Sequence, residues 1–240
     1  MQIIVLAPHP DDAAFSVGGL LAGIKETTVQ IITCFSRNCT IERADSLETT
    51  RNRSQEDDAY ASFIGAELVR LGLPDSGVRT NVGREELPEA GEKILQSQLP
   101  LLLRPLLAAS PEALVFVPLA IGGHPDHIHC RQVALKSFAK HALVFYEDLP
   151  YGQFVGGPAI VSQTVRDQFP LLEQVHINLP APQMKRKMEG MDLYKSQLHP
   201  IWRKDIETYA QDSAIPPGVY GERYWTAEQP KKNIAQWMPR

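Results

Sequence analysis

The sequence predicts a doubly wound, Rossmann-like α/β three-layer sandwich on a mostly parallel sheet. Five short runs rich in apolar and β-branched residues recur between residues 3 and 147. They are near-continuously apolar rather than alternating, as expected of parallel strands covered on both faces. Helix-length segments separate them, and regular strand–helix alternation implies a doubly wound sheet.

In chain order, the strands are "IIVLA" (3–7), "VQIITCF" (29–35), "ELVRLGL" (67–73), "ALVFVPL" (113–119) and "ALVFYE" (142–147). The segment 15–24 places Leu20, Leu21 and Ile24 on one side, and 43–64 is charged and Ala-rich. A long segment, 85–107, is interrupted by prolines, and 128–140 sets Val133, Phe138 and Ala139 near one face. After Glu147 the rhythm fades, and 149–159 and 215–225 read as Gly/Pro-rich loops. Region 151–240 is expected to pack on the sheet and wall a pocket, making residues 1–240 a single domain.

With 240 residues, 43% of them hydrophobic, the chain can bury one large core. A net charge of −4 and the lack of a Lys/Arg stripe argue against a nucleic-acid partner. The longest basic cluster, Lys185-Arg186-Lys187, reads as a solvated helix face. Cys34, Cys39 and Cys130 are odd in number and lack zinc-ribbon spacing, which suits buried free thiols in a reducing compartment. With neither a signal-like N-terminus nor a membrane-length apolar run, the expectation is a cytoplasmic protein without a membrane partner.

Two blocks carry chemistry: "LAPHPDDAAFSVGG" (6–19) and "IGGHPDHIHC" (121–130). His9 follows the first strand and His124 the fourth, so both blocks fall at the carboxyl edge of the sheet, where open α/β folds bind ligands. The prolines bias the histidines before them towards extended backbone, making stiff turns. Taken alone, Asp12 could simply cap a helix. Two such blocks at matched strand ends point instead to a shared divalent ion, zinc or another transition metal. Zinc binds His nitrogen and carboxylate oxygen, and a catalytic site keeps one position open beside three protein ligands. His9 and Asp12 from one loop and His127 from the other supply those three. There is no phosphate loop, nucleophile elbow or dinucleotide Gly pattern.

The chain resembles the PIG-L/LmbE-like deacetylases at "PHPDDAAFSVGGLLA", at "RSQEDDAYASFIGAELVRLGLPD" (53–75) and at "GGHPDH" (122–127), with fainter echoes at 187–198 and 220–225. The resemblance implies a zinc-dependent hydrolase removing an N-acyl group, usually acetyl, from an amino sugar or related glycoside. It carries zinc binding to His9, Asp12 and His127, and the general base to Asp11. His124 would stabilise or protonate the tetrahedral intermediate, and Asp126 would orient a histidine. The sequence departs from the common pattern at Ala13, where Glu is usual, and at Gly122, where some relatives carry an aromatic.

In the expected hydrolysis Asp11 takes a proton from water and a protonated His124 shares the developing oxyanion. Arg37 and Arg53 can contact sugar hydroxyls or form structural salt bridges, and Tyr146 to Tyr151 can shape the substrate wall. A homo-oligomer is compatible with the sequence. An alternative is a metal-stabilised sugar-binding or regulatory pseudoenzyme, with Ala13 as its first lesion.

Overall fold

A computed structural model describes residues 2–38, 46–80, 89–216 and 219–227. Seven strands form one sheet: β1 (Gln2–Ala7), β2 (Thr28–Thr33), β3 (Glu67–Arg70), β4 (Leu114–Pro118), β5 (Ala142–Tyr146), β6 (Glu173–Leu179) and β7 (Tyr220–Thr226), in the order β3-β2-β1-β4-β5-β7-β6. The first five pair in parallel, and β7 runs antiparallel to both β5 and β6. β1 is an interior strand, and Ile3, Ile4, Val5 and Leu6 are wholly buried because layers cover both of its faces.

The helices are α1 (Gly18–Gly23), α2 (Ser46–Ile64), α3 (Ser76–Thr80), α4 (Glu89–Ala108), α5 (Pro125–Ser137), α6 (Tyr151–Phe154), α7 (Pro158–Gln168), α8 (Ala181–Met191) and α9 (Pro200–Asp212). Strand order steps outward from β1 to β3 and then returns to β4 on the other side of β1. Right-handed crossovers therefore place α1 and α2 on one face and α4 and α5 on the other. The reversal between β1 and β4 is the topological switch point, where such sheets bind ligands.

All five sequence-predicted strands are present, with β3 ending three residues early at Arg70. The segment at 15–24 starts sooner, as a π-helical turn over Ala13–Val17 that runs into α1. Helix α5 likewise begins at Pro125, because proline is well suited to a first helical position. Pro100 and Pro105 lie inside α4 rather than breaking it. Residues 43–45, 85–88, 217–218 and 228–240, and Cys39, lie outside the described residues. Cys34 and Cys130 are free and buried.

Two expectations are overturned after residue 150. The supposed loop at 215–225 holds most of β7, and 149–159 folds into α6 and the start of α7. Strand β7 hides its period because both faces are buried and charged residues occupy both. Glu222 accepts from the Gly19 and Leu20 backbone N–H groups, each at 2.7 Å, from Lys187 Nζ at 2.6 Å and from Tyr224 OH at 2.6 Å. On the next residue, Arg223 donates to Glu147 Oε2, which Tyr209 OH also reaches at 2.7 Å. The basic cluster is thus not a solvated face throughout: Lys187 is buried against Glu222, and Arg186 lies over the Phe63 ring. Gly19 is required here, since a Cβ would stand 2.7 Å from Glu222 Oε1.

Asp57 on α2 is wholly buried and accepts from Thr33 Oγ1 at 2.9 Å and Tyr194 OH at 3.1 Å, with Arg70 Nε 3.3 Å away. Burial pushes its pKa up to about 6 despite these partners. A carboxyl with a raised folded pKa holds its proton more tightly when folded. Its contribution is therefore full below the unfolded pKa of about 4 and declines as pH rises towards about 6, by at most about 3 kcal/mol. Asp57→Asn cannot ionise. Its melting temperature relative to the native protein should climb between pH 4 and 6 and then level off. A difference that stays flat across that window would show that the ionised Asp57 is fully compensated.

Candidate metal centre

Strand β1 ends at Ala7, and the chain turns at once through Pro8–Asp12 into the π-helical turn, a distortion frequent at functional sites. Neighbouring β4 ends at Pro118. A tight turn follows, with positive φ at Ala120 (62°), Gly122 (83°) and Gly123 (74°). It delivers His124 to the N-cap of α5, where Nδ1 accepts the Asp126 backbone N–H at 3.2 Å. His127 follows in the first turn, wholly buried.

Three donor atoms converge between the two turns. His9 Nδ1 lies 3.3 Å from His127 Nε2, and Asp12 Oδ2 lies 3.5 Å from each of those nitrogens. The outer nitrogen of each ring faces a carboxylate: His9 Nε2 to Asp126 Oδ2 at 2.9 Å, and His127 Nδ1 to Asp148 Oδ1 at 2.6 Å. With the ring protons on those outer nitrogens, two bare lone pairs and a carboxylate oxygen face one another. In that tautomer the three atoms form a triangle able to hold a cation. Ligands about 2.0–2.1 Å from a tetrahedral ion are separated by about 3.4 Å, so the edges fit a zinc-sized ion. His124 also brings a nitrogen within 4.8 Å of the His9 and His127 donors. That set is wider than the triangle with Asp12, whose edges are 3.3 to 3.5 Å, and His124 Nδ1 already accepts the Asp126 backbone N–H.

The surroundings explain how the charge is held. Burial opposes a charged His9, yet the Asp12 and Asp126 carboxylates raise it well above its ordinary value. Burial also opposes ionised Asp12, but His127 and His9 outweigh it and hold the carboxyl below its ordinary range. Burial and the Asp12 charge push Asp11 the other way, up to about 6. Burial, then the His9 and His127 charges, push His124 down to about 4. The protonated His124 expected from the sequence is therefore disfavoured. The neutral ring, accepting at Nδ1, carries its proton on Nε2, which sits 3.4 Å from Ser76 Oγ.

Asp126 is wholly buried and faces His9 Nε2 at 2.9 Å. It is held in turn by the Ser76 backbone N–H at 2.9 Å and by Arg79 Nη1, 2.7 Å from Oδ1. Asp148 was missed by sequence reasoning, although it directly follows the fifth predicted strand and so belongs to the same edge. Its second oxygen accepts the Ile121 backbone N–H at 2.9 Å, tying β5 to the turn before His124. Ser76 and Arg79 gave no sequence signal.

A cavity of about 720 Å³ opens over the centre. His9, Asp11, Asp12, His124, Arg53 and Tyr151 all line it. Asp11 makes no side-chain hydrogen bond to another residue among the described residues. Arg53 has a buried Nε without a hydrogen-bond partner. Arg37 is exposed and lies outside the lining, bridged through its backbone to Pro74. Tyr146 is buried packing, its hydroxyl on Leu6 O at 2.9 Å. Tyr151 occupies the space that a side chain at Gly122 would need, since a Cβ there would stand 2.9 Å from Tyr151 Cδ1. Ala13 is wholly buried and does not line the cavity.

Residues 4–138 match the family described as PIG-L, GlcNAc-PI de-N-acetylase. The chain belongs to the PIG-L family. It is 29% identical over 208 residues to 2'-N-acetylparomamine deacetylase of Streptomyces fradiae, covering 82% of this chain and 73% of that relative. Among solved structures, the deacetylase–bog complex from the teicoplanin biosynthesis pathway superposes with a TM-score of 0.78 at 20% identity, covering 94% of this chain and 97% of that one. The zinc-inhibited form of teicoplanin deacetylase gives a TM-score of 0.76 at 21% identity, with the same coverage. These similarities bear out the PIG-L resemblance carried by residues 8–22, 53–75 and 122–127 and the doubly wound fold expected from strand–helix alternation. No helix among the described residues is long and apolar enough to cross a membrane.

Proposed function

We propose that this PIG-L family protein is a metal-dependent N-deacetylase acting on an acetylated amino sugar or a glycoside of one. The triangle of His9 Nδ1, Asp12 Oδ2 and His127 Nε2, with an uncommitted carboxyl beside it in an open cavity, carries the reading. A site that merely bound a sugar would have no use for that carboxyl. The family and the deacetylase relatives support the same reaction class. Ala13 does not line the cavity, so Ala in place of Glu removes no group that faces substrate.

His9, Asp12 and His127 would hold zinc or a similar divalent ion, since nitrogen and oxygen donors select weakly among them. Such an ion supplies Lewis acidity towards the amide carbonyl and lowers the pKa of water. Asp11 accepts the proton of the attacking water and passes it to the leaving nitrogen as the C–N bond breaks. Acetate and the free amine are the products. His124 donates its Nε2–H to the carbonyl oxygen as negative charge develops there, and Asp126 N–H fixes the ring for that task. Asp126 and Asp148 orient His9 and His127 from behind, which raises ligand basicity.

Metal analysis tests the assignment. The purified protein should carry about one divalent ion per chain. His9→Ala, Asp12→Ala and His127→Ala should each lose both the ion and acetate release. Asp148→Asn should weaken metal affinity about 10–100-fold by freeing His127. Full metal content in all three ligand variants would refute the site.

A further inference from the structure

A second cavity, of about 300 Å³, lies behind the turn that leads to His124. It shares no lining residue with the cavity over the metal centre. Gly122 marks the boundary: it lines the second cavity, and Tyr151 of the first fills the space its side chain would need. The walls are mostly apolar, with Leu119 and Ile121 from the turn, Ile128 from α5, and Val161, Val165 and Phe169 from α7 and its end. Val155, also in the lining, is 41% exposed. Apolar walls around a few placed polar groups are the usual make-up of a small-molecule site, and the volume is at the lower end of their range.

Among the described residues Arg131, from α5, is the one charged side chain in this lining. Its Nη1 donates to Leu119 O, and its guanidinium carbon lies 5.0 Å from the Phe169 ring centroid. It makes no other hydrogen bond and no ion pair among the described residues. Burial lowers its pKa, against the pull of the Asp148 charge. Asp148 cannot be its counter-ion, because one oxygen is committed to His127 and the other to the Ile121 N–H. A guanidinium carries five donors in a planar fork that matches a carboxylate, and most of them are left over here. Its lost hydration costs free energy that a bound carboxylate would return.

We propose that this cavity binds a monocarboxylate with an apolar body, a medium-chain fatty acid or an aryl-substituted acid. Its carboxylate pairs with Arg131, and its body lies against Ile128, Val161 and Val165. A dianion such as a phosphate ester finds no second cation, and the Thr164 hydroxyl already donates to Ile160 O. The ligand rests on the turn whose Ile121 N–H holds Asp148 behind His127. None of these contacts depends on the deacetylase reading.

Calorimetric titration of the metal-loaded protein with octanoate, octan-1-ol and acetate tests the site. Octanoate should bind saturably and about tenfold or more tighter than either control, since octanol lacks the charge and acetate the body. Arg131→Met keeps a long apolar side chain, so it should weaken octanoate about tenfold and leave octanol unchanged. Thr164→Trp, which fills the cavity from α7, should weaken both. Saturating acetohydroxamate, a metal-directed ligand, should leave octanoate binding as it was. Displacement of octanoate by acetohydroxamate would put the carboxylate on the metal centre and overturn the proposal. So would equal affinities for octanoate and octanol, undiminished octanoate binding in Arg131→Met, or no saturable binding at all. The comparison of ligands needs only the native chain, so it decides even where a variant fails to fold.

Discussion

Asp11→Asn is expected to lose about 10²- to 10⁴-fold in kcat while retaining its metal. The amide preserves size and polarity at a cavity-lining position but cannot accept a proton from water. The loss should appear equally in kcat and kcat/KM, because the interaction removed is one made in the transition state. Its neighbour should behave differently. Asp12→Asn exchanges a buried carboxylate oxygen that lies 3.5 Å from both histidine nitrogens, so metal content and activity should fall together. Metal analysis of the two variants, beside their rates of acetate release, separates a base from a ligand one residue apart. Loss of metal from Asp11→Asn with retention in Asp12→Asn would exchange their roles. Normal turnover by both would make the ion structural.

Glu222→Gln should be among the most destabilising isosteric changes in the chain. Two carboxylate oxygens serve four donors: two backbone N–H groups of α1, the Lys187 ammonium and the Tyr224 hydroxyl. A glutamine offers one oxygen and turns an NH₂ group towards donors. It also leaves Lys187, whose side chain is 0% exposed, without a counter-charge. Breaking a buried pair in this way costs about 3–5 kcal/mol, a fall in melting temperature on the order of 10 °C for a chain of this size. Adding Lys187→Met to the glutamine variant should recover part of the loss, with a coupling of about 1–3 kcal/mol in a double-mutant cycle. A fall of less than about 2 °C would mean that Lys187 finds water instead, and that β7 and α8 are not held through this pair.

The five parallel strands are legible in the sequence, because strands covered on both faces must be apolar almost throughout and that pattern is local. So are the two turns that carry the histidines and carboxylates, since each follows an apolar run directly. The sequence did not reveal β7: a strand carrying Glu222 and Arg223 looks like loop until Lys187 and Glu147 arrive from distant segments to pair with them. For the same reason Lys187 reads as surface from its neighbours and is core in the fold. Arg37 reached the right end of the sheet but the wrong side of the turn, because position along a strand says nothing about side-chain direction beyond it.

Packing sets the adjacency of β1 and β4, which are separated in the chain by more than a hundred residues and meet where strand order reverses. That contact sets His9 against His127 at 3.3 Å and Asp126 behind His9, while the β4–β5 pairing brings Asp148 behind His127. It also bears on His124, whose pKa is lowered by burial first and then by the charges of His9, from the other block, and of His127. Ligand identity is a property of residue type and can be read locally. Ligand geometry and charge are properties of what the fold places within a few ångströms, and long-range packing alone sets them.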